Sequence, residues 1–194
     1  MSLSREAAPS SRLRHWASRL LLLVACASVV ATSKTPTSED VNSDPYSGRP
    51  VTLTTKAPKT RIPVVMRVTA SQSPDKPVEA VLQVRVSATW TPADPSEAVS
   101  PWLRAMLVTG DLDSGPQAGG VLVAGQPTEM DVQQYLDGHC TLGTSCDWTT
   151  NLDLELQPNA AAGEVTVEWT ATGQAHVVDT TQTPNDFTVT VSEP

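Results

Sequence analysis

Apolar residues return at every second position in four separate stretches of this 194-residue chain. That spacing constrains the fold more than any other feature. Val84, Val86, Ala88 and Trp90 alternate with Arg85, Ser87 and Thr89. Leu152, Leu154 and Leu156 alternate with Asp153 and Glu155, and Val165, Val167, Trp169 and Ala171 with Thr166, Glu168 and Thr170. Phe187, Val189 and Val191 repeat the pattern against Thr188 and Thr190. Successive side chains of a strand point to opposite faces, so a period of two marks strands with one buried and one solvated face. Shorter runs at 51–55, 63–69, 102–109 and 119–124 are further strand candidates. Residues 128–136, "TEMDVQQYL", fit two patterns. Met130, Val132 and Leu136 suit a strand; Val132, Tyr135 and Leu136, capped by Thr128 and stopped by Gly138, suit a short helix. The neighbouring strands favour the strand.

Turn signals separate these runs: "SQSPDKP", "TPADPSEAVSP", "DLDSGPQAGG" and "QPNAAAG". Sixteen prolines and ten glycines suit such a chain, and Val and Thr, both strand formers, outweigh a single Phe. Strands without intervening helices predict an all-β fold, an antiparallel two-sheet sandwich of about eight or nine strands. Its texture resembles immunoglobulin-like sandwiches, without their cross-sheet disulfide. Leu152–Leu156 and Val165–Ala171 are expected to form a hairpin across "QPNAAAG". Trp90 and Trp169 fall on the apolar phase of their strands and are expected in the core. The domain is expected to span residues 51–194, long enough to bury a two-sheet core.

The N-terminus differs. Residues 1–19 are polar and basic, and 20–25 are apolar. Leu23-Val24-Ala25-Cys26 resembles the lipobox of bacterial lipoproteins. The resemblance implies that residues 1–25 are a signal peptide and that the Cys26 thiol receives a diacylglycerol. It also implies a membrane-held protein of the bacterial cell envelope. Ala27, where the inner-membrane pattern has Asp, leans toward the outer membrane. An ordinary signal peptidase cut after Ala27 or Ala31 is the alternative, and gives a soluble periplasmic or secreted product. The apolar segment 20–31 is too short for a transmembrane helix, which needs about 20 residues. Residues 26–50, rich in Ser, Thr, Pro and Asp, read as the lipidated cysteine and a flexible tether.

Four of the 13 basic residues lie before residue 20 with one acid, Glu6, which leaves nine against twenty acids, about −11, afterwards. So acidic a chain repels phosphate backbones, and nucleic acid is excluded as a partner. The expected partners are the membrane, through the acyl anchor, and an envelope protein or a polysaccharide.

With Cys26 spent on lipid, Cys140 and Cys146 remain in "DGHCTLGTSCDW". Five intervening residues are too many for the usual redox spacing, and His139 with two thiols falls short of a zinc ligand set. A structural disulfide in an oxidising compartment is the expected state. The loop it closes, with His139 and Trp148, and Trp102 after Pro101, are the candidate ligand contacts. Asp111 and Asp113 in "GDLDSG" form a weak calcium candidate; the EF-hand pattern fails at Gly115 and Leu122, and an acidic turn accounts for them. No nucleophile elbow, zinc-protease motif or phosphate loop is present. No catalytic residue is assigned and no cofactor is expected. A binding or structural role is the favoured class. A hydrolase with two carboxylates on the sandwich and a calcium-dependent adhesion module are the alternatives.

Overall fold

The computed structural model of the chain describes residues 15–24, 36–73, 75–96, 99–110, 115–136, 140–159 and 162–194. It divides into two units, Met1–Pro36 and Thr37–Pro194. In the first, residues 15–24 form one helix, with Leu20, Leu21, Leu22, Leu23 and Val24 each 59–71 % exposed. No helix among the described residues is long and apolar enough to cross a membrane.

The second unit is all-β. Its strands are β1 (Val41–Asn42), β2 (Tyr46–Ser47), β3 (Val51–Thr54), β4 (Lys59–Thr69), β5 (Lys76–Pro92) and β6 (Trp102–Thr109). The chain continues through β7 (Gln117–Val121), β8 (Pro127–Leu136), β9 (Thr141–Leu142), β10 (Ser145–Gln157), β11 (Gly163–Val177) and β12 (Thr188–Ser192). They form two packed antiparallel sheets. The first runs β8-β5-β11, with β1, β2 and β3 along the far edge of β11 and β9 beside the start of β5. The second runs β12-β4-β10-β6-β7. β5 and β11 stay paired over fifteen residues, from Val78 opposite Val177 to Pro92 opposite Gly163.

The alternation sets which side chains meet between the sheets. Leu82 and Trp90 from the first sheet, and Met66, Leu103, Leu152 and Leu154 from the second, are at most 1 % exposed. Each such side chain stabilises the fold by roughly 1.5–3 kcal/mol. Trp169 joins them at 3 % exposed. Its ring fills the space where a side chain on Gly48 would stand, and its Nε1 donates to the Arg49 carbonyl at 3.2 Å. Residues 128–136 lie within β8, so the strand reading of that segment holds.

Three expectations are corrected. Twelve strands replace eight or nine, because β1, β2 and β9 hold two residues each, too few to show a period. The hairpin between Leu152–Leu156 and Val165–Ala171 does not form. β10 lies between β4 and β6 in the second sheet, and β11 lies between β5 and the short N-terminal strands in the first. The segment joining them therefore crosses from one sheet to the other. Period two says which face is buried; it does not say which strand is the neighbour.

The sandwich also begins before residue 51. Thr37 bridges Val178, and β1 and β2 pair with β11. Two serines hold this segment without a run of apolar residues. Ser38 N donates to Val177 O at 2.9 Å while Ser38 Oγ accepts from Val177 N at 3.0 Å. Ser43 N donates to Gly173 O at 2.8 Å, and Ser43 Oγ accepts from Gly173 N at 2.9 Å. In each pair a hydroxyl stands in for a strand carbonyl, which satisfies backbone groups that burial would leave unpaired. Both serines are buried, at 6 % and 9 % exposed.

Candidate functional site

Cys140 and Cys146 form a disulfide with their Cα atoms 6.0 Å apart. Cys146 sits on the inward phase at the start of β10 and is 2 % exposed, and Cys140 packs against the same core. The Cys140 carbonyl accepts from Val78 N at 3.0 Å, which ties the loop to β5. The bond joins the rim of one sheet to the body of the other. His139 lies outside the described residues, as do Cys26, Asp111 and Asp113.

The two tryptophans proposed as contacts do not share a surface. Trp148 is on the inward phase of β10, opposite Met66, and packs half-buried against the core. Trp102 is on the outward phase of β6, and its ring covers Gly119 on β7. Trp102 is opposite Gln157, nine residues along β10 from Trp148, so the two lie roughly 30 Å apart along the strand. Among the described residues no group of three or more His, Cys, Asp or Glu side chains converges as a metal site.

The chemistry concentrates on the two outer faces. On the second sheet the outward positions of β4, β10 and β6 carry Lys59, Arg61, Arg67 and Arg104 against Asp147, Asp153 and Glu155. Register places the opposite charges side by side. Arg61 grips Asp153 with two hydrogen bonds of 2.8 and 2.7 Å, and Arg67 Nε lies 2.6 Å from Asp147 Oδ1. Glu155 lies between Lys59, at 2.7 Å, and Arg104. Lys59 first, then Arg104, hold the Glu155 carboxyl below the usual carboxylate range, against the opposing effect of burial. The hydrogen bond to Asp147 raises the Arg67 guanidinium above its ordinary value. A cavity of about 520 Å³ lies along this ladder, lined by Lys59, Arg61, Arg104, Asp153 and Glu155. Its carboxylates are paired with cations of the same ladder, while Arg104 Nε is buried without a hydrogen-bond partner.

On the first sheet the outward positions of β5, β8 and β11 carry Glu79, Glu129, Asp131, Glu164 and Glu168 against Arg85 and His176, a net of −4 with the histidine neutral. Arg85 Nε bonds Asp131 at 3.1 Å. Glu129 accepts only a neutral hydroxyl, Ser87 Oγ, at 2.6 Å. Among the described residues Glu164 and Glu168 have no cationic partner. Ser87 stands opposite Glu129 on one side and Glu168 on the other, so the two glutamates sit two strands apart, about 10 Å between backbones. Between them and the segment 47–50 lies a cavity of about 340 Å³, whose lining includes Arg85, Pro50 and Trp169. Farther along β8, Tyr135 is 72 % exposed, the most open large hydrophobic side chain among the described residues of the sandwich.

At the end of this face His176 joins the N-terminal segment to the sheet. Its Nδ1 lies 2.9 Å from Asp40 Oδ1, just before β1. Its Nε2 lies 3.3 Å from Glu79 Oε2 but is not aligned for a hydrogen bond. The contact secures Asp40 beside β11 and adds to the two serine clamps.

The sequence reading did not single out these two faces. Their residues are the polar half of the same alternation that marks the core, but which charge meets which depends on register. No protein-family model matches the chain, and comparison with curated proteins finds no relative.

Proposed function

We propose that the protein is an exported lipoprotein whose β-sandwich is a binding module held at the bacterial cell envelope by an acyl anchor on Cys26. One observation carries this reading: the apolar run 20–25 and the lipobox-like Cys26 precede the sandwich in the sequence. Leu20 to Val24 are all exposed, as suits a stretch that serves export and not the core. Among the described residues the first sheet contact is at Thr37. Tethering at a membrane raises the local concentration of a weak binder. A disulfide between Cys140 and Cys146 accords with an oxidising compartment.

The intact mass of the protein from its native membranes tests the reading. A chain that begins at Cys26 with added acyl mass, and gains about two daltons on reduction, is the expected result. A chain that begins at Ser28 or Thr32 without lipid would overturn the anchor.

A carboxylate hydrolase has one observation in its favour, the placement of Glu129 and Glu168 on either side of a cavity. Both are exposed to solvent, whereas hydrolases close their reacting bond in a shielded cleft. Release of reducing ends from polysaccharides, lost in both E129Q and E168Q, would decide for it; binding without turnover decides for the module.

A further inference from the structure

We infer that the outer face of the first sheet, across β8, β5 and β11, docks an extended basic segment of another protein. The inference names the partner of the binding module proposed above and does not depend on the acyl anchor. The argument begins with charge. Among the described residues the face holds five carboxylates, one arginine, which is spent on Asp131, and His176, which stands between Asp40 and Glu79 at its end. The opposite face holds three carboxylates, and every one of them is paired with a cation of its own sheet. The chain has the means to neutralise a row of carboxylates and does so on one side only. Among the described residues Glu129, Glu164 and Glu168 are left exposed and without a cation, and a complementary surface supplies what they lack.

The shape suits side chains of that charge. The cavity between Glu129 and Glu168 is bordered on one side by Pro50. Lysine and arginine carry an aliphatic stem and a cationic head, and each end meets a matching surface there. Six residues along β8, Tyr135 presents its ring to solvent, and an exposed aromatic face attracts a second cation. The distance from Glu129 to Tyr135 is roughly 20 Å along the strand, about the reach of six extended residues. Anionic lipid headgroups are repelled by this face, so the membrane is not its occupant.

The test uses the full chain in detergent and a fluorescein-labelled octalysine peptide, followed by anisotropy at two salt concentrations. Binding should be measurable at low salt and weaken as salt rises. The triple variant Glu129→Gln, Glu164→Gln, Glu168→Gln should weaken it about tenfold and flatten its salt dependence. A control triple in loops, Asp75→Asn, Asp94→Asn, Asp186→Asn, removes the same charge and should change binding by less than about twofold. The substituted glutamates are exposed, so the fold survives; Glu168→Lys, as a second variant, should weaken binding by itself. Absence of binding, or an equal loss in both triples, overturns the inference: the second result would mean that the peptide senses only net charge. A chain that binds the peptide but carries no acyl group leaves this inference standing and removes the anchor alone.

Discussion

The two outer faces of the sandwich are built by one rule and finished in opposite ways. Each is the polar half of a period-two alternation over long central strands. On the second sheet Arg61, Arg67, Lys59 and Arg104 stand where Asp153, Asp147 and Glu155 can reach them. On the first, threonine, serine and glutamine separate carboxylates that have no cation beside them among the described residues, apart from Asp131 with Arg85 and Glu79 with His176. A structural face only has to be soluble, and internal pairing suffices for that. Leaving charge unpaired on one face gains nothing for the fold, so the difference points to use.

The largest effect expected falls on the support beneath the first face. Trp169→Ala removes a core ring and the backing of residues 47–50, and should cost about 3–5 kcal/mol in urea unfolding. A loss below 1 kcal/mol would mean that the first face does not rest on this ring. Next comes the disulfide: Cys140→Ser with Cys146→Ser should cost about 2 kcal/mol by loop entropy. It should leave the octalysine affinity unchanged, because neither face contains the loop. A parallel loss of affinity would move the docking surface to that loop.

The second face should respond to acid. The Glu155 carboxyl is depressed by Lys59 and then by Arg104. Its contribution to stability is thus complete above the ordinary glutamate range and is lost as pH falls through the depressed value. Unfolding midpoints measured between neutral and strongly acidic pH should show this loss in the wild type and less of it in Lys59→Met. An identical acid slope in both chains would separate Glu155 from the stability of the ladder. Smaller again, a double-mutant cycle on Arg61 and Asp153 should give a coupling of about 0.2–1 kcal/mol, the size of an exposed ion pair. On the first face, Glu164→Gln with Glu168→Gln should shift stability by no more than about 0.5 kcal/mol, because neither side chain has a partner to lose. A clear destabilisation there would reveal a structural role and blur the contrast between the faces.

The fold class was legible because Leu152, Val165, Trp90 and their neighbours repeat at a spacing that only strands satisfy. Strand order was not. β10 follows one sheet and β11 the other, and nothing in "QPNAAAG" marks that crossing. The N-terminal strands were hidden for a different reason: Ser38 and Ser43 hold β11 through hydroxyl oxygens, and serines in a Ser/Thr/Pro-rich stretch look like tether. The charged faces fell between these cases. Arg61 and Asp153 are both plain in the sequence, but they are 92 residues apart and meet only through the register of β4 and β10. Trp148 was the reverse: a tryptophan beside a cysteine loop suggests a platform, yet its strand phase directs it inward toward Met66.

The most direct test of the contrast is a backbone amide chemical-shift map of the full chain in detergent as octalysine is added. The account predicts that shifts gather on outward positions of β5, β8 and β11, around Arg85, Ser87, Glu129 and Glu168, while the ladder of Arg61, Asp153 and Glu155 stays still. Shifts spread evenly over both faces, or gathered on β4 and β10, would contradict it.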